Sequence, residues 1–88
     1  MIFITHWTAQ PNTLRDTIAR FKETGAPPPS GIKMLARWHD VAGGRGVVVL
    51  ETDSAEAMLR WTNAWSDLLR FETYPVVDDA TAAKVLFG

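Results

Sequence analysis

Apolar and polar positions change their period along the chain, and each change marks an element. Met1 to Thr8 is β-branched and aromatic and reads as a strand near residues 2–8. After Gln10-Pro11-Asn12 the period lengthens. Leu14, Ile18 and Phe21 recur at i, i+4 and i+7, the stripe of an amphipathic helix near 12–24. Pro11 fits its first turn, Asn12 can cap it, and Gly25 stands where a terminating glycine belongs. Ala26-Pro27-Pro28-Pro29-Ser30-Gly31 cannot be helical and reads as a stiff spacer rather than a recognition motif. Residues 32–39 and 46–52 are two further strands, joined by an Asp40–Arg45 hairpin loop containing Gly43-Gly44. Asp53 and Glu56 make a capping-box-like start for a second helix near 54–65, with Met58, Trp61, Trp65 and Leu68 as its stripe. Residues 71–77 form a fourth strand, and Asp78-Asp79 starts a short terminal helix running towards Phe87.

The order β-α-β-β-α-β describes a ferredoxin-like α+β sandwich: a four-stranded antiparallel sheet with two helices on one face, plus a short C-terminal helix. Eighty-eight residues permit one such domain, 1–88. In this topology the first and third strands are central. Pro75 cannot donate to a ladder and suits the edge position of the fourth strand, while Lys33 and Arg37 are charges that protect the edge formed by the second. The central strands are apolar on both faces. Phe3 and Trp7 oppose Ile2 and Ile4; Val47 and Val49 oppose Val48 and Leu50. The helices cover one face only, and a second copy packed sheet to sheet is the expected cover of the other. A domain this small buries only about 60–65% of its unfolded surface alone, which also favours a homodimer.

Composition narrows the function. Nine basic and ten acidic side chains give a net charge of −1, so no positive surplus draws in nucleic acid or an anionic membrane. Without cysteine there are no disulfides, no Cys-ligated zinc or iron–sulfur clusters and no thiol nucleophile. The N-terminal stretch lacks the basic flank of a signal peptide, and no apolar run approaches the ~18 residues of a membrane helix. The expectation is a small cytoplasmic protein.

Candidate chemistry rests on aromatic and histidine side chains. The four tryptophans are Trp7, Trp38, Trp61 and Trp65. Trp61 and Trp65 lie one turn apart on the second helix's stripe and should face the sheet, either as core or as the aromatic wall of a cavity. His6 and His39 are the only side chains with an ordinary pKa near neutrality. Each adjoins a tryptophan on a strand, so the two members of each pair point to opposite faces, and one histidine should share the cavity of Trp61 and Trp65 while the other does not. Both are candidate catalytic groups, as general acid or base for an enolisable or phenolic substrate, and both could equally be structural. Tyr74 is a further polar candidate, and Arg37 could hold an acidic substrate if it does not simply guard its edge. Trp7, Trp38, Trp61, Trp65, Tyr74 and Arg37 thus form the candidate ligand-binding set. Two histidines with Glu51 or Asp40 show no metal-ligand spacing, so neither a metal nor a cofactor is expected. Gly43-Gly44-Arg45-Gly46 precedes a strand, not a helix, and reads as a turn rather than a phosphate cradle.

Four strings, Ile4-Thr5-His6-Trp7-Thr8, Gly25-Ala26-Pro27-Pro28-Pro29, Ala36-Arg37-Trp38-His39 and Pro75-Val76-Val77-Asp78-Asp79, spread a resemblance over nearly the whole chain. It resembles a family of short bacterial proteins, a domain of unknown function in the dimeric α/β-barrel, ferredoxin-like superfamily. The resemblance implies the fold and the dimer. The wider superfamily includes cofactor-free monooxygenases, haem-degrading enzymes, lactone isomerases and members without catalysis. Superfamily oxygenases often use an Asn/Trp pair, but Asn63 sits about 200° round the helix from Trp61 and Trp65 and should face solvent. Two functions compete. One is a homodimer that binds a small apolar or aromatic molecule in a Trp/His-lined pocket, with or without oxygenase or isomerase chemistry. The other is a non-catalytic interaction module whose aromatics are all core. A cavity of about 300 Å³ or more touching a histidine and Trp61 favours the first.

Overall fold

In the computed structural model, which describes residues 1–88, the strands β1 (Ile2–Ala9), β2 (Lys33–His39), β3 (Arg45–Glu51) and β4 (Leu69–Val76) form one antiparallel sheet. Their order is β2-β3-β1-β4, with β1 and β3 central as the ferredoxin-like topology requires. Helices α1 (Leu14–Thr24) and α2 (Ala55–Ala64) lie on one face, and α3 (Asp79–Leu86) follows β4. No helix is long and apolar enough to cross a membrane.

The local signals that end the helices are not all those the sequence suggests. Gly25 closes α1 in the left-handed region (φ 74°), its N–H donating to the Phe21 carbonyl at 2.7 Å. Asn12 is itself left-handed (φ 67°) and does not cap; Thr13 takes the cap position, but its hydroxyl donates to the carbonyls of Gln10 and Leu68, tying the start of α1 to the residue before β4. The cap of α2 is Ser54, whose Oγ accepts from the Ala57 N–H at 3.0 Å, while Asp53 pairs with the N-terminal ammonium at 3.1 Å. Asp78 caps α3 as expected, accepting from the Thr81 N–H at 2.8 Å. The second stripe outruns its helix. Trp65 is already the C-cap of α2, and β4 begins two residues earlier than the sequence suggests, so Trp65, Leu68 and Leu69 pack as a turn-and-strand cluster.

The core is thin and one-sided. Ile32, Val48, Leu50, Ala57 and Met58 form its main cluster, with Phe3, Met34 and Trp61 packed against it, and Leu50 is fully buried. Only 11 of 88 residues are buried, because one face of the sheet has no cover. Cross-strand neighbours share a face, so Ile4, Val49 and Tyr74 lie together on that open side, as do His6, Val47 and Trp38. Helix α3 buries no residue, leaving Val85, Leu86 and Phe87 exposed. The radius of gyration, 14.6 Å, exceeds the ~12 Å expected of a globule of this length, as a slab with an arm must.

Candidate functional site

Between the sheet and the two helices lies a cavity of about 260 Å³. Its floor is set by strand alternation. Thr5 and Trp7 on β1, Val48 on β3 and Phe71 on β4 all turn towards the helices. Trp7 pairs with Gly46 on one side and Phe71 on the other. A Cβ at Gly46 would overlap the Trp7 indole and the Trp38 carbonyl, so the glycine is what lets the indole lie across β3.

β2 contributes through an irregularity. Met34 pairs with Leu50, but Ala36 pairs with Val49, so Leu35 is an extra residue, a β-bulge. Simple alternation from the inward-facing Met34 would turn Trp38 towards the helices and Arg37 and His39 away. The bulge reverses that parity. Arg37, opposite Val48, and His39, opposite Gly46, enter the cavity wall, and Trp38, opposite Val47, faces out.

The helices supply the other wall. On α1 the stripe residues Leu14, Ile18 and Phe21 line the cavity without closing it, and Leu14 and Ile18 stay exposed at its mouth. Met58, Trp61, Thr62 and Trp65 line the α2 side. Trp65 is buried, and Arg20 lies over its ring at 5.2 Å while forking onto Asp67 at 2.9 and 2.6 Å.

The polar groups at the mouth are held in specific ways. The Arg37 guanidinium lies 5.0 Å over the Phe21 ring and donates to the carbonyls of Ala26 (2.8 Å) and Gly25 (3.0 Å) at the C-terminus of α1. Arg37 therefore does not guard the β2 edge; Lys33 does, fully outside. Burial pushes the Arg37 guanidinium below its ordinary pKa. His39 stands edge-on to Trp7 at 5.3 Å and tilted on Phe21 at 5.4 Å. Asp40 also lines the cavity, but the Arg45 Nε at 2.6 Å and the Ala42 N–H at 2.8 Å hold its carboxyl well below the usual range. The hydroxyl of buried Thr5 bonds that of exposed Thr73 at 2.9 Å, whereas the Thr17 hydroxyl is buried and has no partner.

Of the residues singled out from sequence, the structure brings Trp7, Arg37, His39, Trp61 and Trp65 to one cavity. Trp38, Tyr74 and His6 are elsewhere, on the open face, where His6 Nε2 and Tyr74 Oη are 3.1 Å apart and their rings stack. With His6 and His39 on opposite faces, no group of three metal-ligating side chains forms. Asn63 is exposed.

A family model matches the chain over residues 1–88, its whole length. The chain belongs to the domain of unknown function DUF3303. No curated protein matches it. Among solved structures it is similar to Rv0793 from Mycobacterium tuberculosis, at 15% identity and a TM-score of 0.51, covering 90% of this chain and 96% of that one. It is also similar to an uncharacterized NIPSNAP domain protein from Burkholderia xenovorans, at 10% identity and a TM-score of 0.53, covering 91% and 96%. At such identities the likeness is one of fold alone.

In this DUF3303 domain, sequence reasoning missed Thr17, Gly46 and the bulge at Leu35. Thr17 was within reach: it lies three residues after Leu14 and four before Phe21, on the α1 stripe itself. Gly46 belongs to a glycine-rich loop whose turn function masked it. Nothing local marks the bulge.

Proposed function

We propose that the chain is a homodimer in which each protomer binds a small aromatic molecule between its helices and its sheet. The observation that carries this reading is the cavity itself. Trp7, Phe21, Trp61 and Phe71 pack against the cluster of Trp65, Leu68 and Leu69 and still leave space between the sheet and the helices, although close packing is the norm for protein interiors. The indoles of Trp7, Trp61 and Trp65 stand around about 260 Å³ of space. That is less than the ~300 Å³ expected from the sequence, the lower end for drug-sized ligands, but more than the ~150 Å³ that suffices for benzene, so the occupant is small, with one or two rings. His39 is the one imidazole at the wall and can exchange a proton with a bound enol or phenol. The dimer half of the proposal rests on the apolar open face and the apolar end of α3, two elements of one chain that lack cover.

Calorimetric titration with a panel of one- and two-ring phenols and aromatic acids tests the cavity. At least one should bind, and Ile18→Trp, which plugs the mouth from an exposed position, should abolish that binding while leaving the thermal midpoint unchanged. A panel that binds nowhere, or binds Ile18→Trp equally well, overturns the proposal and favours an interaction module.

A further inference from the structure

Two polar groups at the cavity have hydrogen-bonding capacity that the protein itself does not use. Arg37 is the first. Its guanidinium is half-buried over Phe21 and makes no ion pair: every salt bridge in the chain belongs to other residues. Two donors reach carbonyls, and the rest of the planar fork is unpaired. The three formally charged residues of the lining, Arg37, Asp40 and Arg45, leave it net positive in a chain whose net charge is −1, since Asp40 and Arg45 neutralise each other. Thr17 is the second, a hydroxyl only 7% exposed with no hydrogen bond. Buried polar groups are nearly always satisfied, and exceptions gather at working sites.

We infer that the cavity takes an aromatic carboxylate: the acid group rests on the Arg37 fork at the mouth, the ring lies among Trp7, Phe21 and Trp61, and a second polar atom meets the Thr17 hydroxyl at the inner wall. This rests on the binding reading above and adds to it a charge and a polarity pattern. An arginine fork matches a carboxylate in two parallel hydrogen bonds, which a neutral amide cannot reproduce. A ring seated below the fork shields the inner side of that pair from water and strengthens it. An apolar cavity alone would accept neutral rings equally well.

The test uses three probes on the full chain: 2-naphthoate, its neutral counterpart 2-naphthamide, and 6-hydroxy-2-naphthoate. The naphthoate should bind at least tenfold more tightly than the amide. Arg37→Met should remove that preference while leaving the amide's affinity within about twofold, and Arg37→Lys should restore part of it, which also controls for misfolding. The hydroxyl of 6-hydroxy-2-naphthoate should add several-fold in affinity, and Thr17→Val should cancel that gain. Thr17→Val should also raise the unliganded protein's thermal midpoint by about 4–8 °C, because it removes an unsatisfied hydroxyl. Equal binding of naphthoate and amide overturns the charge inference and leaves the cavity reading standing. No binding of any probe overturns both. An unchanged affinity for 6-hydroxy-2-naphthoate in Thr17→Val overturns the assignment of the inner contact.

Discussion

The two faces of the sheet are built from the same strands, one residue out of step, and they end as different surfaces. The row His39–Gly46–Trp7–Phe71 crosses the sheet on the helix side; the next row, Trp38–Val47–His6–Glu72, crosses it on the open side. Each row carries one histidine and one tryptophan. On the helix side they stand around a cavity with a guanidinium that lacks an anion and a hydroxyl that lacks any partner. On the open side the polar groups satisfy each other, His6 against Tyr74, and what is missing is cover for Ile4, Val47 and Val49. The first deficit is chemical and small enough for one molecule to fill. The second is an area, and only another surface can fill it. Aromatic content by itself therefore says little about a site; the state of the polar groups among the aromatics is what separates the two faces.

Leu50 and Val49 are adjacent residues on opposite faces, so altering each in turn has the largest and most separable effects. Leu50→Ala empties the one fully buried side chain and should cost about 2–5 kcal/mol in urea unfolding, with the proposed dimer retained until the protomer melts. Val49→Lys should leave the protomer folded and raise the dimer dissociation constant about a hundredfold, because a two-fold interface meets each substitution twice. Light scattering should then fall from twice 9.8 kDa to 9.8 kDa at micromolar concentration. A wild-type chain already monomeric there would refute the dimer.

A smaller effect follows from Gly46, which serves the helix side only. Gly46→Ala should cost about 1–3 kcal/mol, since the Trp38 carbonyl behind it cannot yield and the Trp7 indole must move. Tryptophan emission should shift, and the affinity for 2-naphthoate should fall with it. An unaltered emission spectrum and unaltered binding would show that Trp7 does not depend on the glycine.

The smallest effect is a pH dependence confined to the helix side. Hydrogen bonds from Arg20 hold the Asp67 carboxyl below its ordinary value of 3.8. A depressed folded value means that the pair's contribution is present above that ordinary value and is lost as pH falls through the folded one. The pair is exposed, so the effect is slight. Asp67→Asn should lower the urea midpoint slightly at pH 7 and leave it unchanged near pH 2. A difference that persists undiminished at pH 2 would assign the loss to something other than the ion pair.

Much of this molecule was determined by its sequence: the period-2 and period-3.6 stretches, Gly25 and the Pro27-Pro28-Pro29 spacer fix the elements, and the order β-α-β-β-α-β fixes which strands are central. These are local or pairwise constraints, each readable from a few neighbouring side chains. The parity of β2 was decided only in the tertiary structure. Whether Arg37 and His39 or Trp38 meets the helices depends on one extra residue at Leu35, and a bulge forms where register against β3 favours it, not where β2 alone requires it. The same holds for Thr17, whose position on the α1 stripe is sequential but whose lack of a partner is not. That depends on how far α1 stands from the sheet, with the indoles of Trp7, Trp61 and Trp65 failing to fill the space between them, a property of the packed whole.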